Sequence, residues 1–276
     1  MALRDTEPLH AQGATQTLPR PPQQLKKNVT RMLAVILFLA TIVGAAWHTE
    51  SDLRQLATGW PNMWRLLSQF LTPDWTYMKK VLPAVYETIR MAIVGTTIGA
   101  IIAIPITLLA ARNVTKNRFF VFLSRTFMNL IRTIPELLFA AIFVAIVGIG
   151  AVAGILAIIF FSFAIIAKLT SESLETIDPG PLEAMTAVGA SPLTWIRYAV
   201  MPQILPAFIS YTLYVFEVNV RTAAVLGLVG AGGIGVPLNT ALAFLQYDRA
   251  ASILLLIFLV VLLIEALSGA LRRRLI

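Results

Sequence analysis

The fold is decided by the stretch Leu137–Ala167, LLFAAIFVAIVGIGAVAGILAIIFFSFAIIA, which runs for 31 residues without an aspartate, glutamate, lysine or arginine. A single helix of that length would measure about 46 Å, whereas the hydrocarbon core of a bilayer is about 30 Å thick. We therefore expect the chain to fold back at Gly148-Ile149-Gly150. This interpretation predicts one membrane-spanning helix over 124–147 and the next over 151–169.

Apolar stretches on both sides of this one are also long enough to cross a membrane. Of the 276 residues, 58% are apolar and 13% are charged, whereas a soluble domain is about half apolar and a quarter charged. The absence of cysteine excludes a disulfide framework and thiolate chemistry. The sequence therefore predicts an all-α polytopic membrane protein with six transmembrane helices, at about 32–48, 81–111, 124–147, 151–169, 203–226 and 250–271.

The stretch Thr222–Tyr247 is long enough to span a membrane, but it is rich in glycine and contains Pro237. Both residue types disfavour a helix, so we interpret this stretch as the end of one span followed by a broken or re-entrant segment. Its portion Gly230–Gly235, GAGGIG, formally matches a dinucleotide-binding fingerprint. The strand and helix that this fingerprint requires are missing, so we do not expect a nucleotide there.

The distribution of lysine and arginine predicts the orientation, because these residues are retained on the cytoplasmic side. With six spans as above, 14 of the 22 lysines and arginines lie on the side of the two termini and five on the other. Both termini are therefore predicted to be cytoplasmic, and the net charge of +8 requires no nucleic-acid partner. A second interpretation treats 137–167 and 222–247 as one span each, which moves residues 170–200 to the opposite side.

The two ends of the chain lie outside the predicted bundle. Residues 1–31 are polar and are predicted to form a disordered cytoplasmic tail. Residues 32–80 are predicted to hold the first transmembrane helix and a periplasmic amphipathic segment, whose tryptophans are typical of a membrane interface. The first apolar run could alternatively be the core of a signal peptide. The core extends over 81–271, and residues 272–276 form a short cytoplasmic tail.

A short segment between the fourth and fifth predicted spans has the pattern of a docking helix. Its sequence is EAMTAVG at Glu183–Gly189, and AVMP follows at Ala199–Pro202. Prolines flank its start, and a glycine can end it. The segment resembles the EAA loop of ABC importer permeases, E-A-A-x-x-x-G followed by nine residues and I-x-L-P. The matching positions are Glu183, Ala184, Gly189 and Pro202, and the departures are Met185, Ala199 and Met201.

The resemblance covers about residues 80–271. Four further segments look like the phosphonate-uptake branch of these permeases, close to phosphite permeases: RTIPE at 132–136, ETIDPGPLE at 175–183, SYTLYVFEVNVRTA at 210–223 and GLVGAGGIGV at 227–236. This similarity implies the type I ABC importer permease fold, with the coupling loop 170–200 on the cytoplasmic side. It also implies a homodimer, two ATPase subunits and a periplasmic binding protein that delivers the substrate. The residues implied in ATPase coupling are Glu183, Ala184, Ala187, Gly189 and Pro202.

Three predicted spans each contain an acid and an arginine one turn apart, so that both members lie on one helix face. The pairs are Glu87 with Arg90, Arg132 with Glu136, and Glu217 with Arg221. The arginines either line a conduit and bind a small oxyanion transiently, or are satisfied by the adjacent acid and only fix helix packing. The residues predicted to line a translocation pathway are Arg90, Arg132, Glu217, Asn219, Arg221, Gly232 and Gly233.

The chain lacks the signatures of an enzyme. It has no G-x-x-x-x-G-K-[ST] motif, and its two histidines, His10 and His48, form no catalytic or metal constellation. No cofactor is expected here, and ATP and Mg²⁺ are expected on partner subunits. The residues and the resemblance together predict the inner-membrane permease subunit of a bacterial ATP-binding-cassette importer for phosphonate, phosphite or a related small phosphorus oxyanion. The alternative is an ion-coupled secondary transporter or channel, in which intramembrane glutamates carry protons.

Overall fold

A computed structural model describes residues 22–48 and 53–275, with side chains described over 27–48 and 58–274. All regular secondary structure in these ranges is helical, which confirms the predicted all-α class. The α-helices are α1 Pro22–His48, α2 Leu53–Phe70, α3 Trp75–Ala110, α4 Arg118–Thr133, α5 Glu136–Val147, α6 Ala151–Leu174, α7 Gly180–Ala187, α8 Pro192–Trp195, α9 Met201–Leu226, α10 Gly235–Ala243 and α11 Tyr247–Leu275.

The chain divides into two compact units, Met1–Asn62 and Met63–Ile276. The first unit contains α1, which is long and apolar enough over Lys27–His48 to cross a membrane. Because α1 begins at Pro22, the last ten residues of the predicted disordered tail are helical. Proline is favourable at the first helical position, where its missing N–H would have no partner. The rest of that predicted tail lies outside the described residues.

The number of membrane-length helices agrees with the six predicted spans. Five helical segments pass by length and composition, and a sixth is obtained if the bent pair α4 and α5 counts as one span. The five are Lys27–His48, Trp75–Ala110, Ala151–Leu174, Pro192–Val229 and Tyr247–Arg274. The first helix of the core therefore starts at Trp75, before the predicted boundary at residue 81, and the last one includes most of the predicted C-terminal tail.

The prediction of one continuous helix over 124–147 is wrong. α4 ends at Thr133, α5 begins at Glu136, and their axes differ by 88°. The break follows from Pro135, because proline lacks the N–H that a continuing helix would donate and disfavours the helical conformation of the residue before it. Ile134 is accordingly extended, with φ −87° and ψ 123°.

The chain folds back at Gly148–Gly150, where the sequence predicts. Gly148 and Gly150 have φ values of 90° and 141°, a region that other residues rarely adopt. The Gly150 N–H donates a hydrogen bond of 2.9 Å to the Gly230 carbonyl, which ties this turn to the glycine-rich segment after α9. That segment is broken, as predicted, because a 3-10 turn at Gly227–Val229 and the short α10 separate α9 from α11.

The core of the second unit is built around the contact between α3 and α6. Glycines let the two backbones approach closely. A Cβ at Gly95 would lie 2.4 Å from Ile158 Cγ2, and a Cβ at Gly99 would lie 2.6 Å from Ser162 Cβ. α9 packs against both helices, and α11 packs against α9 and α3. α9 begins after the loop that carries α7 and ends at the glycine-rich segment, so its two ends adjoin segments that carry predicted site residues.

Candidate functional site

α7 is the helix that the sequence predicts as the coupling helix, and its end is fixed by a glycine. Gly189 adopts φ +75°, and its N–H and the N–H of Ala190 donate hydrogen bonds of 3.0 Å to carbonyls in the last turn of α7. These two bonds form a Schellman motif, in which glycine is favoured because the left-handed conformation strains any residue with a Cβ. Gly189 therefore ends the helix, as predicted.

The surface of α7 is open. None of its eight residues is buried, and a Cβ added at Gly189 would have no neighbour within 4 Å. Val188 and Leu193 extend this surface with 78% and 80% of their area exposed. We call this surface the α7 face, and its exposed residues are Glu183, Ala184, Ala187, Val188, Gly189 and Leu193.

The loop that carries α7 is fastened to the start of α9. Gln203 Oε1 accepts a hydrogen bond of 3.0 Å from the Asp178 N–H, and Gln203 Nε2 donates one of 2.8 Å to the Ala199 carbonyl. Leu182, opposite the α7 face by helical spacing, packs against the apolar cluster that contains Val200. The α7 face is therefore exposed, while the loop that carries it is held in place by its contacts with α9.

Pro202 lies apart from the α7 face, in the first turn of α9. A π turn at Ile196–Val200 precedes it. In a continuous α-helix the N–H at position 202 would bond to the Tyr198 carbonyl, and proline removes that donor, which accounts for the wider turn. Pro202 thus shapes the junction between the loop that carries α7 and α9.

A hydrogen-bonded cluster supports the same loop from the ends of α3 and α6 and the middle of α4. The Glu175 carboxylate accepts hydrogen bonds from the Arg125 side chain and from the Arg112 N–H, and Arg125 Nε donates one of 2.9 Å to the Ala110 carbonyl. Partial burial would raise the pKa of the Glu175 carboxyl, but the hydrogen bonds from Arg125 and Arg112 hold that pKa below its ordinary value. Sequence analysis misses this cluster, because 50 residues separate Arg125 from Glu175.

The predicted pair Glu217–Arg221 forms, and a second arginine joins it. Arg221 Nη2 lies 3.3 Å from Glu217 Oε1, and Arg272 Nη2 from α11 lies 3.0 Å from Glu217 Oε2. The side chain of Glu217 is 11% exposed, whereas that of Arg221 is 58% exposed. Two guanidinium groups therefore share one carboxylate, and most of the Arg221 side chain faces outward.

Arg221 lines a groove of about 410 Å³ between α5 and α9, which we call the Arg221 groove. Glu136 and Thr222 also line it, and Thr222 Oγ1 donates a hydrogen bond of 3.1 Å to Glu136 Oε2. The predicted pairing of Arg132 with Glu136 is wrong, since no ion pair between them occurs among the described side chains. The helix breaks at Pro135, so the two residues do not share a helix face.

The predicted pairing of Glu87 with Arg90 is wrong as well, because the ion pairs among the described side chains include neither residue. Arg90 instead lies over the Tyr86 ring, with its Cζ 5.5 Å from the ring centroid, a cation–π contact. Glu87 and Arg90 line a second groove of about 410 Å³ against Ala151 at the start of α6. This groove shares no lining residue with the Arg221 groove, so the two arginines line separate grooves of the chain.

Three other residues of the predicted pathway lie in the packed interior. Asn219 is completely buried and donates hydrogen bonds of 2.7 Å to Thr96 Oγ1 on α3 and to Ser162 Oγ on α6. A Cβ at Gly232 would lie 2.7 Å from the first backbone nitrogen of α6, and one at Gly233 would lie 2.7 Å from a threonine hydroxyl of α3. In this conformation the three residues join helices and line neither groove.

Comparison with known proteins connects this geometry to a family. The profile of the binding-protein-dependent transport system inner membrane component family matches residues 95–276. The chain belongs to this family. The matched range contains the α7 face and the Arg221 groove. It leaves out α1, α2 and the first part of α3.

The permease has curated relatives and solved structural neighbours. It is 35% identical over 240 residues to the phosphite transport system permease protein PtxC of Stutzerimonas stutzeri, which covers 87% of each chain. It is 42% identical over 193 residues to the phosphate-import permease protein PhnE of Mycolicibacterium smegmatis, which covers 70% of this chain and 36% of that one. The MetNI methionine ABC transporter, solved in inward facing conformations, matches with a TM-score of 0.66 and 25% identity over 74% of this chain and 99% of that one. These matches confirm the predicted ABC importer permease fold.

Proposed function

We propose that this permease is the membrane-spanning subunit of an ATP-driven importer that carries phosphite, a phosphonate or a related small phosphorus oxyanion. The observation that carries the proposal is the α7 face, an open surface at the position of the EAA pattern. The similarity to PtxC and PhnE supports a phosphorus oxyanion as the solute.

The α7 face is the proposed docking site of an ATPase subunit. The small side chains of Ala184 and Ala187 allow a partner surface to approach closely, while Val188 and Leu193 offer exposed apolar area. The base of the loop is held by Gln203, whose Oε1 accepts a hydrogen bond from the Asp178 N–H and whose Nε2 donates one to the Ala199 carbonyl. A movement of the docked ATPase would therefore pass to α9 instead of being absorbed within the loop.

Membership in the family supports an ATPase and a binding protein as partners, and the rest of the assembly is part of the same proposal. Two copies of the permease pair, each binds one ATPase subunit, and a periplasmic binding protein delivers the solute to the face opposite α7. The α7 face and both termini then lie on the cytoplasmic side. ATP and Mg²⁺ bind to the ATPase subunits, and this chain performs no catalysis.

The Arg221 groove is the proposed contact surface for the solute. Because Arg221 and Arg272 share the single carboxylate of Glu217, this three-residue group carries a net positive charge of one. The exposed guanidinium of Arg221 can donate charge-assisted hydrogen bonds to an oxyanion. Glu136 lies in the same groove and opposes tight anion binding, which suits a conduit because a tightly bound solute would not be released.

The test is uptake of labelled phosphite into proteoliposomes that contain the permease. The ATPase subunit is bound on the inner side of the vesicle membrane, and the binding protein is added outside. Uptake should require ATP and both partners, and it should continue when proton and sodium gradients are collapsed. A phosphonate should compete with phosphite, whereas methionine should not. Uptake driven by an ion gradient without the ATPase would instead establish the ion-coupled alternative.

A further inference from the structure

A cavity lies beside the hydrogen-bonded cluster of Arg125 and Glu175, between the end of α3 and the start of α4. It measures about 560 Å³, within the range of sites that bind small organic ligands. We call it the basic cavity, and it is lined by Arg112, Thr115, Lys116, Arg118, Val121, Phe122 and Arg125. The Arg125 contact with Glu175, just after α6, places it near the loop that carries α7.

Four of the lining residues are cationic, and only Arg125 is paired. Arg112, Lys116 and Arg118 are exposed and form no ion pair among the described side chains. Glu175 compensates at most one of the four positive charges, so the others repel one another, and an anion among them relieves that repulsion. Phosphate oxygens are suitable acceptors, because they take charge-assisted hydrogen bonds from several such donors at once.

α4 carries an exposed apolar stripe that begins at this cavity. Phe122 lines the cavity and is 68% exposed. Other exposed apolar side chains recur at helical spacing along the same side of α4, namely Phe119, Leu123, Phe127 and Leu130. The opposite side of the helix is packed in the core through Met128 and Ile131. Such a helix, with basic residues beside an apolar stripe, is typical of a membrane interface.

The 88° bend between α4 and α5 supports the same orientation. If α5 enters the membrane, α4 lies along its surface and the pair forms a broken span, which brings the basic cavity to the level of the lipid headgroups. A free phosphate ion would satisfy the charges of the cavity but would leave the apolar stripe uncovered. An acidic protein surface would likewise match only the charges.

We propose that the basic cavity binds the phosphate of an anionic phospholipid headgroup, with the acyl chains lying along the apolar stripe of α4. The assignment to the cytoplasmic leaflet rests on the proposed function, because it follows from the docking of an ATPase on the α7 face. Binding itself does not depend on that assignment. Lys116 and Arg118 contribute exposed charge to the cavity and form no side-chain hydrogen bond or ion pair among the described residues, so they are suitable positions for a test.

The experiment measures lipid binding to the purified full-length permease by native mass spectrometry, in neutral detergent, with phosphatidylglycerol and phosphatidylcholine of identical chains. The wild type should bind one phosphatidylglycerol per chain at least about 10-fold more tightly than phosphatidylcholine. Lys116→Gln/Arg118→Gln should abolish this preference. Lys79→Gln/Lys80→Gln, which removes two exposed bases near the start of α3, should keep it. Thermal unfolding of both variants verifies that they are folded.

Three outcomes would overturn the proposal. The first is equal affinity for the two lipids in the wild type, or an equal loss of preference in both double variants. The second is displacement of phosphatidylglycerol by millimolar inorganic phosphate, which would identify a general phosphate site. The third is that Lys116→Gln/Arg118→Gln binds both lipids as the wild type does but no longer co-purifies with the ATPase subunit, which would identify a protein contact. The measurement needs neither ATP nor solute, so failure of import leaves its result unaffected.

Discussion

Arg272 and Glu217 are joined by a hydrogen bond of 3.0 Å although 55 residues separate them in the chain. Arg272 lies near the end of α11, and Glu217 lies in the second half of α9. Since Arg221 holds the other oxygen of Glu217, the three side chains fasten two membrane-length helices to each other. A largely buried carboxylate depends on such partners, because removing one of them leaves its charge poorly compensated.

Arg272→Gln should therefore destabilise the permease, by about 1.5–3 kcal/mol for a lost hydrogen bond to a charged group. Thermal unfolding in detergent would show this as a fall of several degrees in the midpoint. Arg273→Gln is the matched control, because it removes an exposed base at the adjacent position. Glu217→Gln combined with Arg272→Gln should cost less than the sum of the single changes. Equal midpoints for the Arg272 and Arg273 variants would contradict the structural role of the pair.

Gly189→Val should weaken ATPase docking while the permease still folds. The left-handed conformation makes any Cβ costly, by about 1–2 kcal/mol, but the space around it is open, so the chain should still fold. The new side chain projects from the α7 face, and co-purification of the ATPase subunit should fall by at least about 10-fold, since a loss of about 1.4 kcal/mol in binding already has that effect.

Gly148→Val provides the control for that change. Gly148 also has positive φ and open space, but it lies in the turn between α5 and α6. The variant should lose stability and still retain the ATPase subunit. If both valine variants lose the ATPase equally, backbone strain alone accounts for the effect and the α7 face is not the docking site.

Asn219→Leu should lower stability, because the buried amide links α9 to Thr96 on α3 and Ser162 on α6. Hydrogen bonds between membrane helices contribute about 0.6 kcal/mol each on average, so we expect a loss of about 1–2 kcal/mol in thermal unfolding experiments. Asn239→Leu, at an exposed position on α10, should have no such effect. Import that fails in Asn219→Leu while stability is unchanged would argue for a solute contact in another conformation.

Glu175→Gln should destabilise the permease at neutral pH and not in acid. The pKa of Glu175 is lowered, so its contribution is complete above the ordinary value of 4.5 and is lost as the pH falls through the lowered pKa. The difference in unfolding midpoint between wild type and variant should shrink between pH 7 and about pH 3. Glu172→Gln removes a carboxylate that is 55% exposed and should change little. A difference that stays constant across this range would refute the assigned role of the charge.

Arg221→Gln should slow phosphite uptake by about 10-fold or more while the complex with the ATPase subunit still assembles, because a hydrogen bond to a charged group contributes about 1.5–3 kcal/mol. Arg221→Lys should retain part of the activity, since lysine keeps the charge but not the bidentate geometry. Arg90→Gln, in the separate groove beside Tyr86, tests whether that second surface also contacts the solute. Unchanged uptake in Arg221→Gln would leave Arg221 with a packing role only.

The features that could be predicted from the sequence are the local ones. Apolar runs locate the membrane-length helices, the glycines at 148–150 locate the turn, and the spacing of Glu217 and Arg221 predicts their pair. Pro135 also indicates the helix break in the sequence, but a search for apolar runs alone does not detect it. The ion pair between Arg272 and Glu217 could not be predicted, because no local pattern specifies which of several arginines contacts a carboxylate that is distant in the chain.

Gln203 and Arg221 lie on the same helix, α9, 18 residues apart, with Pro206 between them in its second turn. At 1.5 Å per residue this is a lever of about 27 Å. A tilt of about 10° at the end held by the coupling loop would displace Arg221 by about 5 Å, which is wider than the span of a hydrogen bond. A small rotation of a docked ATPase would therefore be sufficient to place the guanidinium in contact with a passing anion or to withdraw it.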